Sequence, residues 1–156
     1  MRRVCFAGLC LSVCLASPAA AEDWYRIASS ENSVDYADAD TLRSAGDVMS
    51  VEVLRGFDSV AGDGGYLRLA LDVSCDDQQF RILRGESYDA ERQQLATDDV
   101  STDWQAIVAD SVAERIRSFA CDDALRDVPV ADPFDDADDY WDDAYSDDAS
   151  PEGDPV

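Results

Sequence analysis

Apolar and polar residues alternate along 66–75, YLRLALDVSC, with Leu67, Leu69, Leu71, Val73 and Cys75 on one parity. Arg68, Asp72 and Ser74 occupy the other parity. Side chains two positions apart share a face of a strand, so this run predicts a strand with one apolar face and Cys75 turned inward with the leucines. Similar patterns flank it. DWYRIA (23–28) and NSVDYAD (32–38) predict two short strands, with Val34 and Tyr36 on one face of the second. VMSVEVLRGF (48–57) places Met49, Val51 and Val53 on one face, and QFRILRGESYD (79–89) does the same with Phe80 and Ile82. Between them, Asp40 is expected to cap a short turn through Leu42 that Gly46 closes. DSVAGDGG (58–65) predicts a hairpin connection, and ERQQLATDDV (91–100) a turn and a weak edge strand.

After Trp104 the period changes. In DSVAERIRSFAC, Val112, Ile116, Phe119 and Ala120 fall on one face of a helix, and Ser111 with Glu114 forms an S-x-x-E capping box. The expected fold is α+β: a small antiparallel sheet of about six strands with one C-terminal helix on its apolar face.

The termini set the cysteine arithmetic. Arg2 and Arg3 precede an apolar run from Val4 to Ala16, and Ala19-Ala20-Ala21 supplies small residues for cleavage. This pattern predicts a signal peptide over 1–21, cut after Ala21, and an exported protein of the periplasm, cell surface or medium. Cys14 follows Val13 and Cys10 follows Leu9, so neither resembles a lipid-attachment site. Cleavage removes Cys5, Cys10 and Cys14 and leaves Cys75 and Cys121. An even pair in an oxidising compartment predicts a disulfide joining sheet to helix. A nucleophilic thiol would need a general base, and the chain contains no histidine.

Charge narrows the partners. The chain carries 35 acids and 12 basic residues, a net charge of -23. Every base is an arginine, and the leader removes two of them. Phosphate neutralisation needs a basic surface, so neither nucleic acid nor direct anionic-membrane binding is expected. Cationic proteins, basic peptides or divalent ions are the electrostatically natural partners. The acids concentrate in 122–156, where Phe134, Tyr140, Trp141 and Tyr145 stand among aspartates. Self-repulsion there predicts a disordered acidic tail after a single domain over 22–121.

Carboxylate pairs such as Asp76/Asp77, Asp98/Asp99 and Glu86 with Asp89 are the only enzymatic candidates, and an acidic chain offers such pairs by chance. No catalytic residue is assigned. DYADAD (35–40) and DDADDYWDD (135–143) resemble fragments of calcium loops but lack the glycine and terminal glutamate of an EF-hand. No metal or cofactor is therefore expected.

The order of Trp24, Tyr36-x-Asp38, Leu42, Gly46, a strand ending at Cys75, FRIL (80–83), Tyr88, WQAIVADS (104–111) and a helix ending at Cys121 resembles the bacterial surface-adhesin E-like family. The likeness covers about 23–121 and departs at Ala109, where the family pattern has proline. The resemblance implies a six-stranded sheet with a disulfide-bonded C-terminal helix, an edge-strand homodimer, and non-enzymatic adhesion to a protein ligand such as a host matrix protein or plasminogen. The alternative expectation is an acidic periplasmic protein that binds or inhibits cationic proteins through charge.

Overall fold

The structure, a computed structural model, describes residues 23–58 and 65–146. The expected leader 1–21 with its cleavage point, the glycine-rich connection 59–64 and the last residues, 147–156, lie outside the described residues. The elements run β1 (Trp24–Ser29), β2 (Ser33–Ala45), β3 (Val48–Phe57), β4 (Gly65–Ser74), β5 (Gln79–Tyr88), β6 (Gln94–Asp98), β7 (Gln105–Ala106), α1 (Val112–Cys121), β8 (Pro129–Val130) and α2 (Pro133–Ser146). All strands join one antiparallel sheet in the order β6-β5-β4-β3-β2-β1-β8, and β7 also pairs with β5. The sheet thus has eight strands rather than six. The two additions, β7 and β8, are two residues long each, too short to show any period.

Successive strands pair as hairpins, so short turns set the register. Ala45 pairs with Val48, which leaves Gly46 and Asp47 as a two-residue loop, and Gly46 holds φ +72°. Such a loop favours glycine because it needs positive φ. The expected cap at Asp40 is displaced by two residues. The carboxylate of Asp38 accepts from the Asp40 amide at 2.9 Å, and the Thr41 hydroxyl donates to the Asp38 carbonyl at 2.8 Å. Instead of a separate turn, β2 continues through this point with a shift of register between Asp38 and Arg43.

One face of the sheet carries Ile27, Ala37, Val51, Val53, Leu71 and Val73. Helix α1 buries Ile116, Phe119 and Ala120 against them. Its N-terminus forms as the sequence predicts at Ser111, whose hydroxyl accepts from the Glu114 amide at 3.3 Å. The return bond is shifted by one position: Glu114 accepts from the Asp110 amide at 2.6 Å instead of that of Ser111. Cys75 and Cys121 are joined, with Cα atoms 5.8 Å apart. Beside them the Arg117 guanidinium donates twice to the Cys75 carbonyl, each at 3.3 Å.

The expectation of a disordered segment after residue 121 does not hold for 122–146. Strand β8 pairs with β1 through Trp24 and Tyr25, and α2 lies on the second face of the sheet. There Ala137 and Trp141 join Trp24, Val34, Tyr36, Leu54 and Tyr66 in a second core. Asp132 starts the helix: its side chain accepts from the Phe134 amide at 2.8 Å and the Asp135 amide at 3.2 Å. Pro133 follows at the first helical position, where its missing N–H is no loss. Aspartate repulsion is outweighed by aromatic burial and by arginines from the sheet.

The cross-link spans a sequence separation of 46. Loop-closure entropy makes it worth about 4 kcal/mol. Cys75→Ser with Cys121→Ser should lower the melting temperature by about 10 °C or more, measured by circular dichroism. An unchanged melting temperature would show that apolar packing alone holds α1.

Candidate functional site

On the α1 side the helix leaves part of the sheet uncovered. A groove of about 200 Å³ runs beside α1, with Leu67, Leu69 and Ile82 in its floor and Val112, Ala113 and Ile116 along its wall. A second hollow of about 220 Å³ shares Leu67, Leu69 and Ile82 and reaches Asp98, Val100 and Thr102. The shared residues make the strip continuous from α1 to the end of β6. Each hollow is smaller than the ~300–1,000 Å³ usual for a small-molecule site. Their size suits individual side chains of a protein segment.

The closed end of this strip holds a charge pair. Arg55 Nε donates to Asp35 Oδ1 at 2.7 Å, and Asp35 is 5% exposed. Burial pushes the Asp35 carboxyl above its ordinary pKa, and the Arg55 guanidinium pulls it back. The outer end is acidic and solvent-facing, with Asp98 and Asp99 both exposed.

The second face divides into a covered and an open half. In the covered half, Arg26 grips Asp136 with both oxygens, at 2.6 and 2.7 Å from Nη2. The Tyr36 hydroxyl donates to the same carboxylate at 2.7 Å, and the Tyr66 hydroxyl donates to Asp138. Arg92 pairs with Asp135 at 2.6 Å and Asp138 at 2.8 Å. Phe134 sits edge-on to Tyr66 and Tyr88, with ring centres 4.7 and 5.8 Å apart. The Trp141 indole is 7% exposed, and its N–H finds no acceptor among the described residues. A buried donor without a partner costs about 1–3 kcal/mol.

The open half is a ladder of alternating charge. Glu52 takes Arg68 at 2.6 Å and Arg84 at 3.2 Å, while Arg81 pairs with Asp72 at 2.6 Å and lies over the Trp104 ring. With Glu86, which also pairs with Arg84, three arginines face three carboxylates, so these groups carry no surplus of either sign.

The carboxylate pairs singled out in the sequence do not converge on a cleft. Asp76 and Asp77 lie exposed in the β4–β5 turn, and Asp98 and Asp99 at the exposed end of β6. Glu86 pairs with Arg84 and accepts from the Tyr88 hydroxyl, while Asp89 accepts from the Gln93 amide in the next turn. Of DYADAD, Asp35 and Asp38 are engaged by Arg55 and by the Asp40 amide; DDADDYWDD lies within α2. Among the described residues no group of three or more His, Cys, Asp or Glu is arranged to hold a metal ion. Neither the groove nor the α2 seat was anticipated from the sequence as a site. The groove depends on where α1 stops covering the sheet. The α2 seat had a signal in Phe134, Ala137 and Trp141, which recur at helical spacing.

Burial, reinforced by the bonds to Asp136 and Asp138, raises the Tyr36 and Tyr66 phenols well above their ordinary value. The folded chain therefore keeps two protons that the unfolded chain releases above pH about 10. Their contribution is fully present below that pH and is lost as pH rises beyond it. In a titration at the phenolate absorbance, two of the six tyrosines should ionise only as the fold is lost. Ionisation of all six with the fold intact would contradict the hydrogen bonding described.

No curated protein and no solved structure matches the chain. The sequence profile of the surface-adhesin protein E family matches residues 24–122, which run from the first residue of β1 to the first residue after α1. The match includes the sheet strands β1–β7, the groove, α1 and both cysteines, and it stops short of β8 and α2. The chain belongs to the surface-adhesin protein E family.

Proposed function

We propose that the protein is an exported, non-enzymatic binding module that adheres to a protein on a surface or in a matrix. The observation that carries this reading is the open apolar strip over Leu67, Leu69 and Ile82. It lies within the segment shared with the family and stands on a sheet–helix pair locked by a disulfide. A rigid scaffold lowers the ordering entropy of binding. The strip accepts apolar side chains one or two at a time, and its acidic outer end at Asp98 and Asp99 favours flanking lysine or arginine on the partner. The preferred ligand is a protein segment with apolar anchors and basic flanks.

Recruitment of cationic proteins by the C-terminal acids alone has less support. Asp135, Asp136 and Asp138 are already engaged by Arg26 and Arg92. Binding through bulk charge would also collapse between low and physiological salt.

The test is binding of the full mature chain to immobilised matrix glycoproteins, cell-envelope fractions and lysozyme as a basic control, across a salt series. Burying a leucine-sized anchor is worth ~1.5–3 kcal/mol. Leu67→Glu should therefore weaken binding about 10- to 100-fold at physiological salt. Asp139→Asn with Asp143→Asn should leave it within about twofold, as expected for charges outside the binding strip. The reading fails if no matrix or envelope ligand binds, or if Leu67→Glu binds as the parent does.

A further inference from the structure

The face beneath α2 is shaped and charged for a helix of α2's composition. Its floor is Trp24, Val34, Tyr36, Leu54 and Tyr66, drawn from the four adjacent strands β1 to β4. Arg26 and Arg92 supply the cationic grips, and the two tyrosine hydroxyls rise between them to Asp136 and Asp138. Gly56 clears the central gap: a Cβ placed on it would stand 3.0 Å from the Ala137 Cβ. The surface thus selects an aromatic residue at 134, a small one at 137, an indole at 141 and carboxylates at 135, 136 and 138.

The helix is weak on its own terms. Six aspartates lie in its 14 residues, and its last turn holds no base to oppose the negative end of the helix dipole. It is held in place by the surface, and the match to the family stops before it begins. Its connection to α1 is conformationally stressed. Leu125 holds φ of 62°, a region that costs energy for a residue with a Cβ, while Asp123, at φ 55°, takes the left-handed position that ends α1. Eleven residues, 122–132, separate the two helices. Extended, they reach about 36 Å, enough to carry α2 to a neighbouring molecule.

We propose that the face beneath α2 is a docking surface for an acidic helix bearing aromatic residues, occupied in cis by α2 and in trans by the α2 of a second copy of this chain. Exchange re-forms the same ion pairs, tyrosine bonds and ring contacts in the partner. It also frees Leu125 from positive φ in the opened connection. Repulsion between two acidic copies opposes it, and salt screens that repulsion. This arrangement differs from an edge-strand dimer, since it uses the sheet's face and leaves the β6 edge free. It also stands apart from the groove, which lies on the opposite face; Leu67→Glu leaves it untouched.

The probe is a labelled peptide of residues 129–146. The receptor is the full mature chain carrying Trp141→Ala and Asp136→Asn, which weakens its own α2 and leaves the floor intact. The peptide should bind this chain at least tenfold more tightly than the parent, whose floor is filled. Adding Gly56→Val to the receptor, or replacing Asp135, Asp136 and Asp138 of the peptide with Asn, should abolish binding. In parallel, two tagged populations of the unsubstituted chain are mixed at high concentration and weighed by native mass spectrometry. Mixed dimers that Gly56→Val prevents are expected. A receptor that keeps its disulfide and cooperative melting yet binds no peptide overturns the docking surface. Peptide binding without mixed dimers overturns the second copy as occupant and assigns the face to a helix from another protein. The mixing measurement needs no destabilised variant. Absence of mixed dimers there, with the double variant unfolded, overturns the exchange directly.

Discussion

Side chains of a strand alternate between two faces, and a sheet with apolar residues of both parities has two faces to bury. In this protein β2 carries Val34 and Tyr36 on one parity and Ala37 and Ala39 on the other. Strand β3 carries Leu54 against Val51 and Val53, and β4 carries Tyr66 against Leu71 and Val73. No single helix can cover both sides. The need for two covers dictates a helix after the sheet on one face and a returning segment on the other. Strand β8 provides the turning point, because pairing with β1 carries the chain around the sheet edge before α2 begins.

The two covers are held by different physics. Helix α1 is attached by apolar packing and a covalent bond, neither of which responds much to salt or moderate pH. Helix α2 is attached by aromatic contacts together with carboxylates held by Arg26, Arg92 and two phenols. Screening those ion pairs with salt weakens this second attachment. The sheet with α1 therefore forms the durable part, and it coincides with the stretch shared across the family. The groove lies on this durable side, and the face under α2 is held by the attachment that salt can weaken.

The α1 half was legible because most of its signals are local. Period two in 66–75, the period change after Trp104 and the Ser111 cap all lie within short windows, and the pairing of Cys75 with Cys121 follows from a count rather than from spacing. Asp38 and Asp40 illustrate the limit of that legibility. Either aspartate can cap a turn, and the choice is set by Thr41, whose hydroxyl donates to the Asp38 carbonyl and accepts the Glu52 amide from β3. The acidic segment after Cys121 misled for a related reason. Asp132-Pro133 is a helix start, and Phe134, Ala137 and Trp141 share a face. Charge density outweighed those signals because the arginines that offset it are far away in the chain. Arg26 and Asp136 are separated by 110 positions.

The arginines explain why so acidic a chain folds and what it offers to others. Arg55, Arg68, Arg81 and Arg84 are paired with carboxylates on the sheet, and Arg26 and Arg92 with those of α2. Arg117 and Arg126 pair with Asp122 and Asp123 where α1 ends. Guanidinium suits this role better than ammonium, because its planar fork can take two oxygens at once, as Arg26 does with Asp136. Most of the positive charge is thereby tied to specific acids. The excess of 35 acids over 12 bases is left to the outer surface. Beyond the balanced ladder of the second face, the surface is rich in carboxylates, and on the α1 face it is interrupted by the apolar strip. Under the adhesive role proposed above, that contrast would favour a ligand with basic flanks around an apolar anchor, since the flanks guide approach and the anchor sets residence time.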